Sequence, residues 1–230
     1  GGEPTIYPDF FELVKVLSEN NTVEIDTNLS FDSSIAIKKL KPNNITVAAT
    51  YHPLSADFKS FMETATRLKD GGFRICVELV AYPPQFEKIK ECRIELSRVN
   101  IPFKIGPFRG EFNGKAYPES YTSDEKSLIE GYTDKVSTVL QLKWFGEDQK
   151  EGKRLGKLCR MGQMYAKIRA DGKAYRCCSK KDEAKLGNLL EGSFALLDDA
   201  RLCTENTCVC YRAMVIGEED NWIGQWKRKQ

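Results

Sequence analysis

Ile45-Thr46-Val47-Ala48-Ala49-Thr50-Tyr51, a helical stretch from about Ser55 to Lys69, the stop Gly71-Gly72, and then Phe73-Arg74-Ile75-Cys76-Val77-Glu78-Leu79 decide how this chain is read. Both apolar, β-branched runs have strand length, and the segment between them has helical length with glycines where a helix ends. A strand, a helix and a second strand in this order imply parallel pairing through a right-handed crossover. Outward from this unit the pattern repeats. Upstream, Val23, Ile25 and Thr27 alternate with Glu24 and Asp26, a half-buried strand ending at Asn28. A helix from Pro8 to Asn20 precedes it, with Phe10, Phe11, Leu13, Val14 and Leu17 at helical spacing, and a short one from Ser33 to Leu40, closed by Pro42, follows. Downstream come a helix over Pro84 to Arg98, a strand over Pro102 to Gly106, and a long helix from Ser123 toward Trp144, with Lys126 where Glu is usual at its third position.

Strands thus begin near 22, 45, 73 and 102, which places the first part of the chain in the α/β class. Doubly wound sheets and barrels both satisfy this order. A barrel gathers its reactive groups at the carboxyl ends of its strands, here Asn28, Thr50-Tyr51-His52 and Glu78. A charged, Gly-containing stretch from Gly146 to Lys157 then marks a domain boundary, giving units 1–147 and 148–230.

With 35 basic and 33 acidic residues the net charge is only +2, so no bulk polyelectrolyte field marks the chain for nucleic acid. No apolar stretch approaches the roughly 20 residues a membrane span needs. The eight cysteines are unevenly spread: six fall after residue 158. Disulfide frameworks belong mainly to small secreted domains, so ligated thiolates in a reducing, cytoplasmic compartment are expected instead. Cys159, Gly172 and Cys177 stand as Cys-x12-Gly-x4-Cys, followed by Cys203-x4-Cys208-x-Cys210. Asp171-Gly172 is the strongest hairpin signal in the chain, and its turn brings the strand carrying Cys177 back beside the one following Cys159. Thiolates gathered in this way suit a metal or an iron–sulfur cluster. Leu186-Gly187-Asn188-Leu189 and Glu191-Gly192-Ser193-Phe194 read as a turn and a short helix before Cys203.

The chain opens Gly1-Gly2-Glu3-Pro4, without an initiator Met, so it reads as a piece of a longer protein. Followed by Tyr7-Pro8-Asp9-Phe10-Phe11 and a helix, this tetrapeptide resembles the GGEP motif of radical S-adenosylmethionine (SAM) enzymes. In that family the motif closes the second strand of a partial (β/α)6 TIM-like barrel, and the four strand–helix units then match strands three to six. The cysteine region, with Tyr175-Arg176-Cys177-Cys178 and Leu186-Gly187-Asn188-Leu189, resembles the small α+β SPASM or Twitch extension that binds auxiliary 4Fe-4S clusters.

The resemblance implies a mechanism. A cluster held by a Cys-x3-Cys-x2-Cys loop delivers an electron from an external donor to SAM, whose cleavage gives a 5′-deoxyadenosyl radical that abstracts hydrogen from substrate. Gly1, Gly2, Glu3 and Pro4 would hold the methionyl amino group, with Asn28 at the neighbouring strand end as a further cofactor contact. The auxiliary cluster would draw its four ligands from Cys159, Cys177, Cys208 and Cys210, with Cys203 in competition for one place. The sequence contains no Cys-x3-Cys-x2-Cys, and the first β/α unit of the barrel is missing from it. These 230 residues alone are therefore expected not to cleave SAM. The substrate class stays open between peptide, nucleotide and sugar derivative.

Other residues carry plainer readings. Cys76 and Cys92 are expected as small buried hydrophobes, and His52 as part of a hydrogen-bonded turn or a catalytic group. Glu78 could bind SAM or substrate, or balance a lysine. The competing function is a non-catalytic α/β scaffold whose late cysteines hold structural zinc.

Overall fold

Alternation along four short strands builds a sheet with two unlike faces. The computed structural model describes residues 2–131, 155–177 and 184–205. Gly1, Cys178, Cys208, Cys210, the expected helix beyond residue 131 and the expected boundary up to residue 154 lie outside the described residues. The chain divides into two compact units, residues 1–148 and 149–230.

In the first unit α1 (Phe10–Ser18) leads into β1 (Val23–Thr27), α2 (Ser33–Lys39), β2 (Ile45–Tyr51), α3 (Phe58–Asp70), β3 (Arg74–Ala81), α4 (Phe86–Arg98) and β4 (Phe103–Pro107). A hairpin of β5 (Gly110–Phe112) and β6 (Lys115–Tyr117) precedes α5 (Ser123–Gly131). The strands pair in parallel in the order β1-β2-β3-β4. Sequential order without a reversal over these four strands is consistent with part of a barrel wall.

Ile25, Ile45, Val47, Ala49, Tyr51, Ile75, Val77, Leu79, Ala81 and Ile105 share one core with Phe11, Val14, Ala36, Phe61, Ala65, Leu68, Ile89 and Leu96 of the helices. Full burial of one such aliphatic side chain contributes about 1.5–3 kcal/mol. The intervening residues point to the other face. There Glu24 and Asp26 are exposed, while Thr46, Thr50, Cys76, Glu78 and Lys104 are half-buried. Cys92 sits in the core as expected, its thiol pKa pushed up to about 11 by burial. Cys76 instead stands half-buried on the polar face.

Two boundaries and one helix cap differ from the sequence expectation for local reasons. α3 begins at Phe58 because the amides of Ser55 and Ala56 turn back onto the His52 carbonyl (3.0 and 2.9 Å), and Asp57 caps the helix through the Ser60 amide (2.8 Å). β3 runs on to Ala81, so Glu78 lies inside the strand and not at its end. α5 starts at Ser123 as expected, but its capping residue is Thr122. Thr122 Oγ1 accepts the Glu125 amide (3.2 Å) and Glu125 Oε2 accepts the Thr122 amide (2.8 Å), a complete capping box.

In the second unit β7 (Leu158–Cys159) pairs with β11 (Arg201–Leu202), and β10 (Lys185–Asn188), β9 (Lys173–Tyr175) and β8 (Lys167–Ile168) form an antiparallel sheet. The β8–β9 hairpin turns at Asp171-Gly172, closed by the Gly172 amide on the Arg169 carbonyl (2.9 Å). Gly172 has φ +78°, and a Cβ there would stand 2.4 Å from Asn188 Oδ1 and 2.6 Å from Leu190 Cγ. The residue is thus required twice, by the turn and by the close approach of the segment after β10. Residues 191–194 form a turn and extended chain where a short helix was expected. Their backbone folds back on β10, the Ser193 amide onto the Asn188 carbonyl (3.1 Å) and the Ala195 amide onto the Leu186 carbonyl (3.1 Å).

Candidate functional site

Glu3 is the best-anchored acidic side chain near the start of the chain. Its Oε1 accepts the Thr5 amide (3.1 Å), the Thr5 hydroxyl (2.6 Å) and the Thr27 hydroxyl (2.8 Å), and its Oε2 accepts the Asn28 amide (2.7 Å). Thr27 is the last residue of β1, so these bonds fasten the opening segment to the carboxyl end of that strand. Burial works to raise the Glu3 pKa, but the hydrogen bonds from Asn28, Thr5 and Thr27 outweigh it and hold the group below its usual range. The side chain is therefore a carboxylate at neutral pH. Oε2 takes a single amide and retains an acceptor position, whereas Oε1 is saturated.

The chain beyond β1 is shaped by the same network. Leu29 is buried with φ +60°, a conformation that branched side chains rarely adopt, and its amide is held by Thr27 Oγ1 (3.0 Å). Asn28 Oδ1 accepts the Ser30 amide (2.9 Å). Asn28 therefore serves the site in two ways: its backbone fixes Glu3, and its side chain shapes the loop.

The polar face of the sheet continues from this point. Thr27 is in register with Ala49, which sets Asn28 beside Thr50; Thr50 is in register with Glu78, and Glu78 with Lys104. Strands about 4.8 Å apart make Asn28, Thr50, Glu78 and Lys104 one row across the sheet. Lys104 Nζ lies 2.9 Å from Glu78 Oε2, with both side chains about one-third exposed or less. Burial lowers the Lys104 pKa, but the Glu78 carboxylate more than compensates and keeps the ammonium charged. Glu78 thus balances a lysine. His52 is exposed, and its carbonyl accepts the turn amides described above.

Tyr121 closes the same end of the sheet. Its hydroxyl donates to the Ala81 carbonyl (2.6 Å) and accepts the Phe108 amide (2.8 Å). Val77 takes the first rung of the β3–β4 ladder from Pro102, so alternate residues carry the rungs and the last would join Phe108 to Ala81. The Tyr121 hydroxyl stands in place of that rung. Burial pushes its pKa up to about 12, so it remains a donor at physiological pH.

In the second unit, Cys159 and Cys177 both pack against Met161, which is fully buried. Cys203 follows β11, the strand paired with that of Cys159; its amide donates to the Lys157 carbonyl (2.8 Å) and its carbonyl accepts the Gly156 amide (2.9 Å). Of the five nominated thiols, Cys159 and Cys177 thus meet at one side chain and Cys203 directly follows the neighbouring strand. Cys208 and Cys210 lie outside the described residues. Among the described residues no three Cys, His, Asp or Glu side chains come close enough to hold a metal ion. Cys159, Cys177 and Cys203 are partly accessible, soft sulfur donors, a chemistry that suits a thiolate-bound centre.

Thr5, Thr27, Lys104, Tyr121 and Arg176 were not singled out from the sequence as site residues. The pairing of Lys104 with Glu78 depends on strand register, and the contacts of Thr27 with Glu3 depend on where the opening segment folds back. Neither leaves a local motif.

No protein-family model and no curated protein matches the chain. Solved structures do. The crystal structure of Streptococcus suis SuiB superposes with a TM-score of 0.58 at 18% identity, over 85% of this chain and 54% of SuiB. SuiB bound to its precursor peptide SuiA gives a TM-score of 0.56 at 18% identity, over 85% and 53%. Native anSMEcpe with bound AdoMet (S-adenosylmethionine) and the Cp18Cys peptide gives 0.53 at 15% identity, over all of this chain and 80% of that one. At these identities the likeness establishes a shared fold. The chain spans about half the length of SuiB. Among the described residues no helix is long and apolar enough to cross a membrane.

Proposed function

We propose that this chain carries the SAM-binding part and the auxiliary iron–sulfur region of a radical SAM enzyme that modifies a peptide. One observation carries the reading: Glu3 of the Gly-Gly-Glu-Pro segment is tied through Thr27 and Asn28 to the carboxyl end of a sequential parallel sheet, where a barrel presents its ligands. Structural neighbours that hold SAM or AdoMet, and others that hold peptides, support the ligand classes.

In this reading Gly1, Gly2, Glu3 and Pro4 receive the methionyl ammonium. Oε2 of Glu3 retains an acceptor position for it, and nothing stands within 4 Å of where a side chain on Gly2 would begin, so a ligand can approach the backbone there. Asn28 orients that carboxylate. The half-buried row of Thr50, Glu78 and Lys104 supplies polar partners for the remainder of the ligand or for the peptide. When bound and given an electron, SAM supplies a 5′-deoxyadenosyl radical. Cys159, Cys177, Cys203, Cys208 and Cys210 provide the ligands of an auxiliary 4Fe-4S cluster in a unit of residues 148–230, residues 1–147 make up the partial-barrel unit, and an external donor supplies electrons.

Calorimetric titration of the chain with SAM tests this. Binding is expected, weakened about 10- to 100-fold in Glu3→Gln, as loss of a charge-assisted hydrogen bond of about 1.5–3 kcal/mol requires. A chain that binds no SAM, or a Glu3→Gln variant that binds it as tightly as the wild type, would overturn the assignment. Because the sequence has no Cys-x3-Cys-x2-Cys, the 230 residues alone are expected to release no 5′-deoxyadenosine under reductant.

A further inference from the structure

Arg176 is buried, and among the described residues its hydrogen bonds all run to backbone carbonyls. Nε donates to Met161 (3.0 Å), Nη1 to Leu202 (3.4 Å), and Nη2 to Cys159 and Arg201 (both 3.2 Å). The residue is therefore a clamp on three segments. It holds β7, which carries Cys159; the turn after it, where Met161 touches both Cys159 and Cys177; and β11, which leads into Cys203. Arg176 itself is the immediate neighbour of Cys177.

Buried arginine is ordinarily matched by a carboxylate, since an isolated charge in the interior is costly. Among the described residues none lies within ion-pair distance of Arg176, and carbonyl dipoles only partly offset a full charge. The packing around the residue is also close. Gly162, at φ +100°, lies so near that a Cβ there would stand 2.8 Å from the Arg176 Cβ. Among the described residues, therefore, a buried guanidinium stands between segments bearing three thiols without an acidic partner.

We infer that Arg176 is a positioning residue for the thiolate centre. Its fork holds the Cys159, Cys177 and Cys203 segments together before metal arrives, and its charge is matched by the net negative charge of the thiolate-bound inorganic group. This rests on the cluster reading proposed above. A positive charge fixed beside such a group also favours its reduced, more negative state, so Arg176 should raise its reduction potential.

The test uses the full 230-residue chain as wild type, Arg176→Lys and Arg176→Met, each reconstituted anaerobically with ferrous iron and sulfide. Wild type is expected to take up both, and Arg176→Met several-fold less. Whatever cluster Arg176→Met does form should have a more negative potential, a readout that loss of packing alone would not move. Arg176→Lys keeps the charge but not the fork, so it should recover the potential while still loading poorly. Wild-type loading and potential in Arg176→Met would overturn the inference. Should Arg176→Met lose its fold by circular dichroism, the lysine variant decides: reduced loading supports the clamp, and undiminished loading overturns it. If wild type takes up zinc but no iron or sulfide, the cluster reading fails by itself. The inference then stands or falls on whether zinc affinity drops in the order Arg, Lys, Met. Uptake of neither metal sinks both.

Discussion

Glu3 and Arg176 place opposite charges in partly or wholly buried positions by different means. Glu3 is satisfied by four short-range donors, three of them within the pair Thr5 and Thr27 and the fourth the Asn28 amide. Because these favour the ionised form, the folded-state pKa lies below the ordinary value of 4.5. The sign follows directly: the unfolded chain binds a proton more readily, so the stabilisation is complete above about pH 4.5 and disappears as pH falls through the lower folded value. Thermal melts between pH 7 and pH 3 should show a fall in stability below pH 4.5 that is shallower in Glu3→Gln. A wild-type slope retained by the variant would show that other carboxylates govern the acid limb.

At the scale of elements, the helices owe their starting points to single oxygen atoms. Asp57 accepts both the amide and the hydroxyl of Ser60 (2.8 and 2.9 Å), and its pKa is lowered, first by the Ser60 amide. Asp57→Ala should destabilise the fold, as lost N-caps do elsewhere, and urea unfolding should register this as a lower midpoint at unchanged slope. The three helical positions that sequence reasoning assigned before Phe58 show why helix starts are hard to read. Ser55 and Ala56 have acceptable propensity, but their amides are captured by the His52 carbonyl, and Asp57 offers a better start. The Thr122–Glu125 box carries the same lesson. The motif stands one residue upstream of the Ser123–Lys126 pair from which the cap was read, and the hydrogen bonds select it. The Asp171-Gly172 hairpin needed no such arbitration, because a left-handed glycine at that turn has few alternatives.

For the whole first unit, the sheet has one face committed to packing and one face left for chemistry. Leu79 is fully buried among helix side chains, whereas Cys76, three residues earlier on the same strand, is half-buried on the polar face. Leu79→Ala should therefore cost about 2–5 kcal/mol, and Cys76→Ser less than about 1 kcal/mol. Equal costs by chemical denaturation would mean that the polar face is also core. This division was half legible beforehand. In β1, Ile25 and Thr27 alternate with Glu24 and Asp26, so the two faces can be told apart, but β2 and β3 are near-continuous apolar runs in which Ala48 and Val80 mask the alternation. Strand order was not legible either, since sequential and reversed windings use the same strand–helix alternation.

What the amino-acid sequence by itself determined is local: the four strands and their helices, the hairpin at Asp171-Gly172 and the concentration of thiols late in the chain. These follow from periodicity, turn chemistry and composition, which act over a few residues. Only the tertiary structure decided that Glu3 reaches Thr27 and Asn28, that Glu78 faces Lys104, and that Arg176 binds the carbonyls of Cys159, Met161, Arg201 and Leu202. Each of these contacts joins residues from 15 to 26 positions apart. Its geometry is set by strand register and by where loops fold back, and no short stretch of sequence encodes either.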